Sequence, residues 1–559
     1  MKKSHFFSRR SLFAFSFPVS LAARFLPFSF FHFSRRSFFA FFRSPVSLAA
    51  RFLPFSFPRF SRRSLFDFFV PRFSRRSFFA FSFPRLSRRS LFAFSFPVSL
   101  AARFLPFSFF HFSRRIMTTT YKYSQIWTIA YPILLSTLME QLIGMTDTAF
   151  LGRVGEIELG ASALGGIFYV TVFMLGLGFS IGAQILMARR SGEGKYLRIG
   201  SIFYHSLVFL FVLALVLFFL TQQFAPLLLH QIINSPRVFE ATNDYLNWRI
   251  CGIFFAFGCA MFRAFYVATT KTRVLTLNSV ILVVSNIFLN YCLIFGHLGC
   301  PALGISGAAI GSTLAALVSL LFFIVHTFTK VDCARYGLNR LPHFRFSVLR
   351  KLLNISIWTM LQNFLSLATW FFFFLAVEHL GEQDLAATNV IRNLSSISFM
   401  TVIAFATTSG TLVSNLMGQG RVDEVFPLIR KIIRLTFLIL VPFLLVEAFF
   451  PELFMGIFTD NVTLLEVGRP ALYVMLSSYV FTIPGQILFH TVSGTGNTKR
   501  SLQIEFLSLF IYCIYIAVAL FQCRLSLSWG WASEHIYHFM AFTLCALYLR
   551  RGTWRTTRI

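Results

Sequence analysis

Glu140 and Asp147 stand seven residues apart inside a long apolar stretch, and seven residues is about two helical turns, so both project from one face. Arg249 and Arg263 are the other charges embedded in apolar runs of the same half, in the company of Asn278, Asn286, Asn290 and Thr313. A charge at the centre of a bilayer costs about 2.5–3.5 kcal/mol on insertion scales. One that is retained there is read first as functional. Asn286 and Asn290 are four apart and share a helix face. A carboxylate beside amide and hydroxyl oxygens can take up a proton or a hard cation such as Na+, and low-dielectric surroundings make protonation near neutral pH feasible. Membrane Asn and Thr also serve ordinary helix–helix hydrogen bonding. That is the expected role of Asn278, whereas Asp147 is expected to bind the ion.

The second half offers Gln362, Asn363, Asn389, Arg392 and Asn393 as polar residues that could face a cavity, with Arg263 from the first half as a cavity cation. Its acids Glu447, Glu505 and Glu534 lie towards the ends of apolar runs, where snorkelling to the interface would account for them. Pro132 and Pro484 fall inside apolar runs. A proline there removes a backbone hydrogen bond and bends a helix, so Pro132 could couple protonation of its helix to helix shape.

These residues need a membrane scaffold. The 559-residue chain is 56% hydrophobic and 13% charged, with a mean hydropathy of +0.70; soluble domains carry about 25% charged residues. After Met117, apolar stretches recur at about 126–150, 159–188, 199–220, 245–268, 275–296, 304–328, 352–377, 385–416, 432–450, 470–492, 502–522 and 529–549. Most suffice for the ~20 residues a spanning helix needs. They lack the alternation of a membrane β-barrel. The expected fold is an all-α membrane protein with twelve transmembrane helices.

Lys and Arg cluster in the even-numbered links and the tail, for example Arg189, Arg190, Lys195 and Arg198, then Arg421, Arg430, Lys431 and Arg434. The odd links carry only Arg153, Arg237, Arg469 and Arg524, and most of the acids, including Asp460. By the positive-inside rule both termini are cytoplasmic, as an even number of spans requires.

The formal charge of +31 does not describe this scaffold. Residues 1–116 hold 21 of the 51 Lys and Arg but one acid, Asp67, and 34 of the 78 Phe. Ser11–Arg36 recurs unchanged as Ser90–Arg115. No apolar run there reaches the ~18 residues of a span. Identical repeats of this kind read as repeated DNA in translation, so the segment is expected to be disordered or a start placed upstream of a true one at Met117. The alternative is a Phe/Arg-rich arm that binds anionic lipid. Neither reading points to nucleic acid.

The eight cysteines form no Cys-x-x-Cys pair and read as small apolar residues. No cofactor is implied, and no nucleotide loop or His/Glu metal motif supports a membrane enzyme or receptor.

A shift of 226 residues lays the chain on itself without gaps: Leu380-Gly-Glu falls on Val154-Gly-Glu, Gly418-Gln-Gly on Gly192-Glu-Gly, and Thr498-Lys on Thr272-Arg. Two six-helix lobes follow, 117–340 and 341–559. Six is even, so the copies are parallel and related by a pseudo-two-fold axis along the membrane normal. Such pairs usually enclose a midplane cavity and work by alternating access, which suggests a transporter, with an ion channel or a membrane-embedded enzyme left open on these grounds alone.

Pro132-Ile-Leu-Leu-Ser through Asp147-Thr-Ala-Phe-Leu-Gly-Arg153 resembles the first helix of the multidrug and toxic compound extrusion (MATE) family. Asn286-Ile-Phe-Leu-Asn290 and Gly304-Ile-Ser-Gly-Ala-Ala-Ile-Gly-Ser-Thr313 resemble its fifth and sixth helices. The resemblance covers nearly all of 120–555, with a flavour, in Met139-Glu-Gln and Trp370-Phe-Phe-Phe-Phe, similar to members from Bacteroidetes-type bacteria. It implies H+- or Na+-coupled efflux of cationic or amphipathic drugs, by a monomer in the bacterial inner membrane. Asp147 would then be the cation-binding acid, with Asn286 and Thr313 completing a Na+ set, Asn290 and Glu140 nearby, and Pro132 as the bending proline. Asn290 stands where many relatives have Asp, and Gln362 and Asn363 where some have an acid; both bear on the choice of ion and substrate. A flippase for lipid-linked saccharides, from the same wider superfamily, would need more cavity cations than Arg249, Arg263 and Arg392.

Overall fold

The computed structural model describes residues 121–557 except Asn234 and Asp460. The repetitive segment 1–116, Met117 and Arg558 also lie outside the described residues. Among the described residues every regular element is helical. In hydrocarbon each backbone N–H and C=O must be satisfied within the segment, and a helix does this. We number the long helices α1 (Tyr123–Val154), α2 (Glu156–Gly192), α3 (Leu197–Ile232), α4 (Pro236–Ala268), α5 (Arg273–Phe295), α6 (Gly304–Lys330), α7 (Phe346–Glu378), α8 (Glu382–Gly418), α9 (Val425–Phe449), α10 (Val462–Gly494), α11 (Thr498–Gln522) and α12 (Ser533–Arg551).

The first eleven are long and apolar enough to cross a membrane. The twelfth has 19 residues, long enough for the ~30 Å hydrocarbon core. It is less apolar because it carries Glu534, His535 and His538. Several helices outrun the apolar stretches: α4 begins at Pro236 rather than near 245, since proline is well suited to a first helical position. The added turns carry Arg237, Glu240 and Asp244 on an exposed face. All eight cysteines are free; Cys292 and Cys545 are buried, Cys523 is exposed and the others are half-buried.

Helices α1 to α6 pack together as one lobe, with α5 between α1 and α6 and α2 against α4; α7 to α12 form the other, with α10 between α8 and α12 and α11 between α7 and α12. The 226-residue shift carries the bounds of α2 onto those of α8, and the bounds of α4 onto those of α10. Lipid is as apolar as leucine, so such helices associate through close packing at small residues. Between α8 and α10, a Cβ on Gly494 would lie 2.3 Å from the Gly410 carbonyl oxygen.

The lobes meet where α2 crosses α8. A Cβ on Gly192 would lie 2.1 Å from the Asn415 carbonyl oxygen, and one on Gly418 would lie 2.3 Å from that of Arg189. The shift relates Gly192 to Gly418 and Arg189 to Asn415, so each contact repeats with its partners exchanged, as a two-fold axis demands. Gln184 Nε2 donates to Thr411 Oγ1 at 3.0 Å, and Ser414 Oγ to the Ile185 carbonyl at 2.8 Å. Helix α7 joins the seam: Thr359 Oγ1 donates to the Gly178 carbonyl at 2.7 Å. These contacts use the end of the bundle that carries the Lys/Arg-rich links.

Candidate functional site

Helix α1 brings Asp147 to the inner face of the first lobe, where α5 and α6 approach it. Asn290 Nδ2 donates to Asp147 Oδ1 at 2.6 Å, and Ser312 Oγ to Oδ2 at 3.3 Å. Behind them Asn286 Nδ2 donates to Ser312 Oγ at 3.0 Å, and Asn290 Nδ2 also lies 3.4 Å from Asn286 Oδ1. The four-residue spacing of the asparagines aligns them on one face of α5. Asn286, Asn290 and Ser312 are buried while Asp147 is half-buried, so the carboxylate stands at the edge of a buried polar pocket. Arg249 interacts electrostatically with Asp147 and lies 4.2 Å from the centre of the Tyr169 ring.

The arrangement can do one kind of chemistry well: exchange a small cation at Asp147. As it stands, an amide N–H and a hydroxyl already donate to the carboxylate. Protonation requires only that the Ser312 hydroxyl rotate. Sodium requires oxygens instead. Asn290 Oδ1 is buried with no hydrogen-bond partner and lies near Gly311, so turning that amide over would present an oxygen to the carboxylate.

Thr313 does not join this group. Its hydroxyl donates to the Trp248 carbonyl at 3.2 Å, beside the 3-10 turn Ile250–Gly252 that interrupts α4. One residue is about 100° around a helix, and α6 turns Ser312 to Asp147 in its place. Glu140 is also separate: Arg263 Nη1 donates to its Oε1 at 2.6 Å, about 10 Å along the helix from Asp147. Arg263 is therefore engaged by Glu140. Helix α1 runs as one helix through Pro132. Pro132 cannot donate to the Thr128 carbonyl, and Thr272 Oγ1 lies 3.5 Å from that oxygen instead.

In the second lobe, Asn389 Nδ2 donates to the Leu385 carbonyl of its own helix at 3.1 Å, and Arg392 lies over the Phe374 ring at 5.3 Å. Gln362 Oε1 and Asn363 Nδ2 are buried without partners. Two acids do not snorkel as their sequence positions suggest. Glu447 and Glu505 are each 1% exposed, because neighbouring helices enclose them on the protein side. Glu505 is held by Ser366 of α7 and Tyr537 of α12, and Glu534 pairs with His538 at 3.3 Å. Sequence reasoning missed Ser312, Tyr169 and the Glu505 group. The weak apolarity of the twelfth stretch was the available signal for the last.

A family model described as MatE matches residues 132–292 and 355–518, one segment in each lobe. A "probable multidrug resistance protein NorM" of Thermotoga maritima is 25% identical over 433 residues, 76% of this chain and 92% of that protein. One of the same description from Agrobacterium fabrum is 27% identical over 303 residues, 52% of this chain and 63% of that protein. Among solved structures, an outward-facing multidrug resistance MATE transporter of the MOP superfamily matches with a TM-score of 0.72 at 17% identity, over 78% of this chain and 97% of that one. The eukaryotic MATE transporter AtDTX14 matches with a TM-score of 0.68 at 17% identity, over 77% of this chain and 96% of that one.

Proposed function

The chain belongs to the MatE family, and from that premise we propose that it is a secondary transporter that exports small cationic or amphipathic organic compounds, including drugs, in exchange for a cation bound at Asp147. The observation that carries this reading is the half-buried Asp147 carboxylate with Asn290 and Ser312 donating to it. A proton is the favoured coupling ion, because it needs no rearrangement of the Asn290 amide; Na+ is the second reading, favoured by the orphaned Asn290 Oδ1. Asp147 exchanges the cation while the lobes rock about the α2–α8 crossing.

The chain acts as a monomer in the bacterial inner membrane, with both termini cytoplasmic. The seam between the lobes then lies on the cytoplasmic side. One net charge moving inward across 100 mV, as when a neutral compound leaves for one cation, contributes about 2.3 kcal/mol. That sustains a gradient of roughly fifty-fold per charge, at about 1.4 kcal/mol per tenfold. A monovalent cationic compound exchanged one for one moves no net charge and draws on the ion's concentration gradient. Export of a lipid-linked saccharide fits less well, since Arg263 is paired with Glu140 and Arg249 and Arg392 lie on aromatic rings.

The test is ethidium accumulation in pump-deficient bacteria expressing the chain or its Asp147→Asn variant at matched membrane levels. The expected result is lowered accumulation with the parent only. Equal accumulation with parent and empty cells, despite correct insertion, removes the drug-export reading.

A further inference from the structure

We propose that Glu505 is a second proton-binding carboxylate, enclosed in the second lobe and wired to α7, the helix that closes the seam between the lobes. The proposal rests on the cation-coupled reading above.

Helix α11 places Glu505 seven residues beyond Thr498, about two turns inside the lobe. The side chain is 1% exposed, so it faces protein rather than lipid or an interface. Its partners are two hydroxyls: Ser366 Oγ donates to Oε1 at 2.8 Å, and Tyr537 OH lies 2.9 Å from Oε1 and 3.0 Å from Oε2. The groups facing it from each neighbouring helix are mostly neutral. Helix α12 contributes Tyr537 and Cys545, with Glu534 beyond Tyr537 and paired to His538. Helix α7 contributes Ser366, and α10 meets the Glu505 helix one turn earlier, where Ser493 bonds Ser501. Among the described residues no Lys or Arg pairs with Glu505. A buried carboxylate without a cation is costly to keep ionised, and in a membrane protein such a group is functional by default.

The geometry supports two states that differ by one proton and a hydroxyl rotation. Ser366 Oγ also lies 3.1 Å from the Gln362 carbonyl, one turn back on α7. Its single hydrogen can serve one acceptor at a time. With Glu505 ionised, Ser366 donates to the carboxylate. When a proton from water binds Oε1, Ser366 turns its hydrogen to the Gln362 carbonyl and accepts from the new O–H, while Tyr537 goes on donating to Oε2. No other bond changes.

The state is felt along α7. Seven residues before Ser366, Thr359 donates to Gly178 of α2 across the seam. At the same end, Thr498 Oγ1 donates to the Ile355 carbonyl at 2.9 Å and fastens α11 to α7 regardless of pH. The Glu505–Ser366 bond is a second fastening of the same two helices; it persists in both states, but its direction reverses with the proton and it is stronger while the carboxylate is charged.

The test is infrared difference spectroscopy of the full chain in lipid membranes, following the C=O stretch of protonated carboxylic acids through an acid-to-alkaline titration. Glu505→Gln is expected to remove one titrating band that Asp147→Asn retains. Tyr537→Phe keeps the ring and removes one hydrogen bond, and is expected to shift the midpoint of that band by about 0.5 pH unit or more. A full set of titrating bands in Glu505→Gln overturns the proposal. If Glu505→Gln does not fold, an unmoved midpoint in Tyr537→Phe overturns it. The readout needs no transported compound, so it stands or falls apart from the drug-export reading.

Discussion

Asp147 and Glu505 lie in the two halves of a duplicated chain, yet the duplication does not relate them. The 226-residue shift carries Asp147 onto Phe373, which is 1% exposed and packs edge-on against Trp531, and carries Glu505 onto Ser279, which bonds Ser136 at 2.8 Å. The surroundings differ as well. Asp147 is half-buried and faces an amide, a hydroxyl and a nearby guanidinium. Glu505 is enclosed and faces hydroxyls. Helix ends and the seam glycines repeat between the lobes, while the chemistry does not. The scaffold is symmetric because both copies must rock about one crossing. The carboxylates are not, and in the proposed cycle they have separate roles, Asp147 binding the coupling ion and Glu505 a second proton.

The largest effect expected from breaking this contrast is at Asp147. Asp147→Asn keeps the size of the side chain but removes its charge, and concentrative dye export should fall to the level of cells without the protein. Next is the shared seam. Gly192→Val forces a side chain into the Asn415 backbone, and overpacking of this kind costs about 1–3 kcal/mol. Thermal unfolding in detergent should show a clearly lowered midpoint; an unchanged midpoint would mean the crossing is not close-packed.

Smaller changes sharpen the first-lobe site. Ser312→Ala removes a donor to a charged group, an interaction of about 1.5–3 kcal/mol. At 3.3 Å the lower end applies, so initial export rates should drop roughly tenfold. Asn290→Asp adds a second carboxylate beside Asp147 and should confer a few-fold stimulation of export by Na+, read by adding or withdrawing Na+ in the assay. Thr313→Val should change export by less than about twofold, because its hydroxyl serves the Trp248 carbonyl. If Thr313→Val were as damaging as Ser312→Ala, α6 would be turned differently from the arrangement described.

Much of this was legible in the sequence. Asp147, Asn286 and Asn290 could be grouped because a charge in an apolar run is conspicuous and a four-residue spacing fixes a shared face. The two lobes could be read because one shift served several helix pairs, and the helix ends repeat at that shift. What failed depended on helix rotation and on neighbours. Choosing between Ser312 and Thr313 requires the rotation of α6 about its own axis, which an apolar helix with polar residues at adjacent positions does not reveal. Glu505 looked like a residue near a helix end. Only the placement of α7 and α12 on either side of α11 shows that it is enclosed. The 3-10 turn in α4 carries Gly252, but glycines also lie inside the uninterrupted α2 at Gly176, Gly178 and Gly182, so the residue does not distinguish the turn from ordinary helix.

The most direct test of the central claim is dye efflux from liposomes containing the purified chain, driven by an imposed proton gradient or an imposed Na+ gradient, with Asp147→Asn beside the parent. The account predicts that the proton gradient drives efflux through the parent and that neither gradient does so through the variant. Gradient-driven efflux through Asp147→Asn at the parental rate would contradict it.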